Sequence, residues 1–327
     1  MRQQDPQHNN TNQGWAMAPN VSLLQAIVEN VERVIIGKRE AVELAVIALA
    51  CRGHVLIEDV PGIGKTSLVH SIARSLDCSF KRIQFTPDIL PSDITGFSMF
   101  NQKTGEFEFR PGAIMAQVVL ADEINRTSPK TQSSLLEVME EGQVTVDGHS
   151  FVLPEPFIVF ATQNPVEYLG TYPLPEAQLD RFFLKISLGY PKAADEMRLL
   201  ERFRSHNPLE SLSSVATSEQ LLDLQEQVHQ VYIDDSVNEY IVSLVRRTRA
   251  GANILLGASP RATLCLARAA QAWALCSGRD YVLPDDVIRM AVPVLEHRLV
   301  LKQEAKLRKL SPASLVRSII EDTPVPV

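Results

Sequence analysis

The sequence predicts an α/β fold, a parallel sheet covered by helices and followed by an all-helical domain. Two patterns carry that expectation. From Val21 to about Pro191, short apolar runs suited to buried strands alternate with amphipathic helical stretches, the order a parallel sheet requires. From Lys192 onward strand signals vanish, and helical patterns punctuated by Pro208, Pro260, Pro284 and Pro312 take over. The expected organisation is a polar tail over 1–20, a sheet-bearing core over 21–191 and a helical domain over 192–327, the last boundary falling between 190 and 215.

The tail (MRQQDPQHNNTNQGWAMAPN) is rich in Asn and Gln and lacks the apolar segment of a signal peptide, so it reads as disordered. Val55-Leu56-Ile57 is the first short apolar run, and Leu68, Ile72 and Leu76, four apart, mark a helix after a glycine-rich turn. Phe97-Ser-Met99 and Phe107-Glu-Phe109 flank Asn101 to Gly105 and suggest a hairpin between Pro91 and Pro111. Ile114 through Leu120 is a second strand candidate. Ser128 is placed to cap a helix with Pro129 at its first position and Gly142 at its end. Val144 to Phe151 alternates around Asp147-Gly148, a strong hairpin signal. Phe157 through Phe160 is a third buried-strand candidate.

Composition narrows the function. Of 327 residues, 45% are hydrophobic and 22% charged, an ordinary soluble balance. The net charge of -7 and the absence of a basic run give no strong sign of nucleic-acid binding. Cys51, Cys78, Cys265 and Cys276 lack CxxC spacing and read as small hydrophobes in a reducing cytoplasm. No apolar stretch is long enough to span a bilayer, so a cytoplasmic location is expected.

The chemistry lies at the ends of the apolar runs. Asp59-Val-Pro-Gly-Ile-Gly-Lys65-Thr66 follows one of them and opens a helix. It matches GxxxxGK[ST], except that Asp59 stands where the first glycine belongs. Gly62 and Gly64 let the backbone wrap phosphates with its N–H groups inward, and the helix start adds favourable partial charge. Lys65 is placed to reach the β- and γ-phosphates, and the Thr66 hydroxyl to ligate Mg²⁺. Next, Val118-Val-Leu-Ala-Asp122-Glu123 ends a buried strand in two adjacent acids, costly to bury without a cation. Asp122 suits a Mg²⁺ shell, and Glu123 the polarising of an attacking water. Finally, Phe160-Ala-Thr-Gln-Asn164-Pro165 ends a strand in a neutral amide able to bond both γ-phosphate and water. Thr162 is a weaker candidate for the same place.

These three elements together resemble the Walker A, Walker B and sensor 1 motifs of AAA+ ATPases. The resemblance narrows to the MoxR family through Arg82-Ile-Gln-Phe-Thr-Pro-Asp-Ile-Leu-Pro-Ser-Asp-Ile-Thr-Gly96, Leu120-Ala-Asp-Glu-Ile-Asn-Arg126, Leu174-Pro-Glu-Ala-Gln-Leu-Asp-Arg-Phe182 and Gly257-Ala-Ser-Pro-Arg261. It covers nearly everything after the tail. It implies an αβα P-loop core with a C-terminal helical lid, ATP and Mg²⁺ as ligands, and a nucleotide contact made by Pro61, Gly62, Ile63, Gly64, Lys65, Thr66 and Ser67. It also implies an adenine pocket lined by Val34-Ile35-Ile36-Gly37, a run that by itself reads as core.

Two arginines enter with the resemblance. Arg181 looks like an arginine finger reaching a neighbouring subunit's γ-phosphate, against the alternative of an ion pair with Asp180 or Glu176. Arg261, in the first turn of a lid helix, looks like sensor 2, against the alternative of a salt bridge near the helix cap. Arg126 is open between a contact across subunits and a pair with Glu123 or Glu137. The hairpins would be the helix-2 insert and pre-sensor hairpin, touching substrate, or else edge strands without such a role. The family points to a ring, hexameric in expectation, that remodels or activates partner proteins, often bearing a von Willebrand A domain. A nucleic-acid motor, a metal-chelatase motor subunit and a small-molecule P-loop kinase are the competing classes, the kinase opposed by Glu123 beside Asp122.

Overall fold

A computed structural model describes residues 19–165, 170–204 and 207–326. The expected 1–20 tail lies outside these, apart from its last two residues, which begin helix α1 (Pro19–Glu32). Helix α2 (Arg39–Ala50) leads into β1 (Val55–Glu58), and α3 (Lys65–Ser75) follows the glycine-rich turn. Then come β2 (Phe80–Gln84), α4 (Pro91–Thr95), the hairpin β3 (Gly96–Asn101) and β4 (Glu106–Pro111), and β5 (Val118–Asp122). Helix α5 (Pro129–Glu141) precedes the hairpin β6 (Gln143–Val146) and β7 (His149–Val152), and the core closes with β8 (Ile158–Gln163), α6 (Glu176–Leu179) and β9 (Leu184–Ile186).

Five strands form one sheet in the order β2-β5-β8-β1-β9, and every pairing is parallel. The register sets Val55 opposite both Phe160 and Leu184, and Gln84 opposite Asp122, so all carboxyl ends emerge on one edge. Alternate strand residues enter different apolar clusters. Val55, Ile57, Leu120 and Phe160 face one side with α1, α2 and α3, while Leu56, Val119, Ala121 and Val159 pack against Ile94, Leu135 and Leu136 on the other. Burial on both faces is why these strands read as unbroken apolar runs rather than alternating ones.

The capping chemistry of α5 appears as expected: Ser128 accepts from Thr131 N, Pro129 is the first helical residue, and Gly142 ends the helix with φ +64°. In the second hairpin Asp147 (φ +51°) and Gly148 (φ +78°) take the left-handed conformations of a tight two-residue turn. The two hairpins are joined by stacked rings, Phe109 on Phe151 at 3.8 Å. The strand expected from Ile114 begins only at Val118, because the Ile114 amide is drawn to the carbonyl of Ile94, outside the sheet.

The C-terminal part contains α7 (Ala193–Phe203), α8 (Ser218–Gln230), α9 (Asp235–Ala250), α10 (Pro260–Cys276), α11 (Pro284–Leu295), α12 (Gln303–Leu307) and α13 (Pro312–Glu321). It is not wholly helical. A ribbon of β10 (Ile254–Leu256) and β11 (Val300–Leu301) pairs antiparallel across it, too short to leave a periodic signal. The apolar cluster around α1 and α2 continues into α8, α9, α10 and α11. One apolar cluster therefore runs across the boundary near residue 191 proposed from the sequence. Among the described residues no helix is long and apolar enough to cross a membrane.

Behind the sheet His54 is a fixed strut. Its Nδ1 accepts from the Val159 amide at 3.0 Å, so Nε2 carries the proton and donates to the Met139 carbonyl at 2.8 Å. Burial holds its pKa down to about 4. The unfolded chain therefore takes up a proton near pH 6.5 that the folded chain refuses until about pH 4. Stability is expected to fall across that window by roughly 3 kcal/mol on this account. Denaturant midpoints measured from pH 7 to 4 should show the loss, with a shallower slope in His54→Gln.

Candidate nucleotide site

The turn after β1 is shaped to hold an anion. Gly62 (φ +83°) and Gly64 (φ +93°) adopt backbone that other residues resist. An added Cβ would meet nothing within 4 Å at Gly62 and only Ile35, at 3.9 Å, at Gly64. It is thus conformation, not crowding, that calls for glycine, and the space beside the turn is open. Gly64 caps α3 without a side-chain hydrogen bond, leaving the first amides of that helix for a phosphate.

Asp59, the departure from the motif, has its own use. It stays outside the left-handed region. Its Oδ2 accepts from the amides of Leu188 (2.6 Å) and Gly189 (2.8 Å) and from Ser187 Oγ (3.0 Å). The acid thereby ties the start of the turn to the chain leaving β9. Its own carbonyl accepts from Lys65 Nζ at 2.9 Å. Lys65 is buried, and that burial lowers its pKa, opposed by the charges of Asp122, Asp59 and Glu123.

The acids at the tip of β5 are engaged as well. Asp122 Oδ2 receives Arg82 Nη2 at 2.6 Å, and Oδ1 receives the Thr162 hydroxyl at 2.6 Å. Thr162 Oγ1 also accepts from the Glu123 amide at 2.9 Å, so this fully buried residue fixes both acids. Glu123 sits at φ +59°, a left-handed conformation uncommon for glutamate. Its Oε2 takes Gln84 Nε2 at 2.8 Å and Arg126 Nε at 3.2 Å. Within the subunit Arg126 makes the expected pair with Glu123. Asn164 is buried just past β8, on the same edge of the sheet.

A cleft of about 360 Å³ adjoins the turn, lined by Ile35, Ile36, Gly62, Gly64, Ser67, Tyr190 and Phe203, among others. Apolar walls with an exposed Tyr190 ring suit a purine face. Gly37 serves differently: a Cβ there would meet the Asp195 carboxylate at 2.3 Å, so it lets α7 approach. A larger groove, about 870 Å³, runs along α9. It is lined from that helix alone and has no phosphate cradle.

Thr66 and Asp122 are the two protein groups suited to Mg²⁺. A pair of oxygen ligands fits an ion that keeps several waters and takes the rest of its shell from substrate phosphates. For Asp122 to serve, Arg82 must yield part of its hold.

Arg181 and Arg261 lie elsewhere. Arg181 precedes β9, and Phe183 N donates to His54 O ahead of β1, so this is the amino-terminal edge of the sheet. About 13 Å of β1 separates it from the glycine-rich turn. Arg181 Nε contacts Glu140 Oε2 at 3.1 Å, rather than Asp180 or Glu176, and Arg261 binds Glu140 Oε1. A contact from Arg261 to phosphate held by its own chain is therefore not what the structure brings together.

Sequence reasoning passed over Arg82, Gln84, Glu140 and Arg298. The first two had a signal: on β2 they share one face, and Gln84 pairs in register with Asp122. Glu140 and Arg298 had none, because only tertiary packing brings them to Arg181 and Asp180.

Comparisons with known proteins agree with this geometry. The family described as "ATPase family associated with various cellular activities (AAA)" matches residues 54–184, and an AAA lid domain matches 246–319. Chaperone MoxR1 of Mycobacterium tuberculosis is 41% identical over 95% of this chain and 84% of its own length. Protein MoxR of Methylorubrum extorquens is 30% identical over 90% and 93%, and the uncharacterized protein YeaC of Bacillus subtilis is 54% identical over 93% and 95%. A crystal structure of an ATPase candidate from Cytophaga hutchinsonii superposes with a TM-score of 0.88 at 38% identity, covering 94% of this chain and 96% of that one.

The role found for Asp59 is open to test. Asp59→Ala leaves four donors, the Val60 amide included, without their acceptor and is expected to cost about 2–4 kcal/mol in denaturant unfolding. Asp59→Gly should be no better, although it restores the motif's glycine. A glycine variant as stable as wild type would show that the acid merely fills the position.

Proposed function

The chain belongs to the MoxR family of AAA+ ATPases, and from that premise we propose that it hydrolyses ATP in an oligomeric ring to remodel partner proteins. One observation carries the reading: the uncapped turn at Gly62–Thr66 and the acids Asp122 and Glu123 stand at the tips of strands in one parallel sheet. In this reading Pro61 to Ser67 wrap the phosphates, and Lys65 exchanges the Asp59 carbonyl for the β- and γ-phosphate oxygens. Thr66 and Asp122 hold Mg²⁺, which supplies charge neutralisation on the phosphates when bound. The adenine rests in the cleft beside Ile35, Ile36 and Tyr190.

Glu123, freed from Gln84 and Arg126, orients a water and accepts its proton as the water oxygen attacks the γ-phosphorus. The bond to the β–γ bridging oxygen breaks, leaving ADP and phosphate. Asn164 steadies the water and the γ-phosphate. The arginines beside this site, Arg82 and Arg126, are held on Asp122 and Glu123, and Arg181 and Arg261 stand on the opposite edge of the sheet. In this reading they serve an adjacent subunit, where such a cation is worth ~10³-fold or more.

Client contact falls to the hairpins. Phe97, Phe100 and Phe107 expose large apolar surface on the first, which needs either a neighbouring subunit or a client to cover it. Partners with a von Willebrand A domain are the class the family suggests. A captured partner would identify the client.

The decisive variant is Glu123→Gln. It should retain ATP affinity while steady-state phosphate release falls at least about 100-fold. Wild-type turnover in that variant, or in Lys65→Ala, would end the proposal. Arg181→Ala should bind nucleotide normally yet lose turnover, read by nucleotide titration beside phosphate release. A normal rate in an assembled Arg181→Ala ring would remove the finger.

A further inference from the structure

At the amino-terminal edge of the sheet two cations share one acid. Glu140 receives Arg181 on Oε2 at 3.1 Å and Arg261 on Oε1. All three side chains are roughly one-third to two-fifths exposed, and an exposed pair of this kind contributes only ~0–1 kcal/mol. Stability is a poor reason for the arrangement. Position argues the same way. Glu140 lies in the last turn of α5 beside Glu141, where the negative end of the helix dipole disfavours acids.

The cluster is built on a firm base. The neighbour of Arg181, Asp180, accepts from Ser259 Oγ at 2.7 Å and from Arg298 Nε at 2.8 Å. Ser259 caps α10 by accepting from Ala262 N, and Arg261 is that helix's second residue. Arg298, its side chain only 1% exposed, also donates to the carbonyls of Phe182 (2.5 Å) and Phe183 (3.1 Å). The core loop that carries Arg181 and the helix that carries Arg261 are thus fastened next to the two arginines. What the base leaves free is the aim of the guanidinium heads. Glu140 sets it. Because Arg181 spends Nε on Glu140, its two terminal nitrogens have no partner among the described residues. Two guanidiniums on one carboxylate leave these three partly exposed side chains with a net positive charge, suited to an anion.

We propose that Glu140 is a positioning residue that aims Arg181 and Arg261 together at the γ-phosphate bound by an adjacent copy of this chain. The proposal rests on the ATPase reading above and adds to it a residue that touches neither nucleotide nor reacting water. Since its own glycine-rich turn lies at the other edge of the sheet, Glu140 affects a site in the next subunit and not the one in its own chain.

The test is kinetic and uses the full chain. Glu140→Gln and Glu140→Ala should lower kcat about 10- to 100-fold, less than deletion of the finger, through loss of alignment. The KM for ATP should stay within about twofold, since each variant keeps its own cradle. The assembly state by light scattering and the melting temperature should match wild type, and Glu140→Asp should recover part of the rate. Mixing gives the sharper readout. Glu140→Ala subunits bring an intact cradle, and Lys65→Ala subunits bring an intact arginine edge. Mixed assemblies should hydrolyse ATP faster than either variant alone. A wild-type kcat in Glu140→Ala, loss of the assembly itself, or no recovery on mixing would each overturn the assignment of Glu140. A wild-type chain without turnover would overturn the ATPase reading and this assignment with it.

Discussion

The parallel register of the central sheet is the constraint on which the rest depends. Strands running one way deliver their carboxyl ends to a single edge, so groups distant in sequence meet there. Asp59, Gln84, Asp122 and Asn164 each follow or end a different strand, yet they reach one edge: Gln84 pairs with Asp122, while Asp59 and Asn164 follow the paired Glu58 and Gln163. Crevices outside the carboxyl ends of an open parallel sheet are where such folds bind ligands. A slip of one residue in any pairing would turn the apolar set of that strand to the wrong face as well as misplace its tip. The core and the site are specified by the same alignment.

The tips carry charge that must be balanced before any ligand arrives. Lys65 is buried and rests on the Asp59 carbonyl. Asp122 is held by Arg82 and Thr162, and Glu123 by Gln84 and Arg126. Neither acid is ion-paired to a deeply buried counter-charge. Arg82 and Arg126 are well exposed, so their pairs are weak enough to exchange. Thr162 is different. Fully buried and bonded to both acids, it has no such freedom, and it acts as the fixed point about which the exchangeable contacts change.

Much of this was legible in the sequence because the signals are local. A glycine-rich turn between an apolar run and a helix, an acid pair closing another run, and Asp147-Gly148 between alternating segments each declare themselves within about ten residues. The P-loop, the β5 tip, the α5 caps and both hairpins are of this kind. What could not be read depends on tertiary approach. The β10–β11 ribbon pairs segments more than forty residues apart with too few residues to show a period. Asp59 looks like a tolerated substitution until the chain after β9 is seen to donate to it. The direction of Arg261 was open to error for the same reason. A helix start and a guanidinium suggest a phosphate contact, but only the fold shows that Glu140 and Arg181, not the home cradle, are nearby.

The two edges of the sheet then have unequal inventories. The carboxyl edge has amides, a lysine and acids, and its arginines Arg82 and Arg126 are engaged by Asp122 and Glu123. The amino edge has two arginines tied to one acid and no phosphate to meet. A single chain cannot bring these sets together, because the rigid strands between them are packed on both faces. In the proposed assembly a second copy would bring its amino edge to the first one's carboxyl edge. Such a head-to-tail contact uses different surfaces on its two sides, and repeated with a closing rotation it yields a ring. In the ring proposed above, the polarity of the sheet would give binding to one subunit and completion of the transition-state charge to the next.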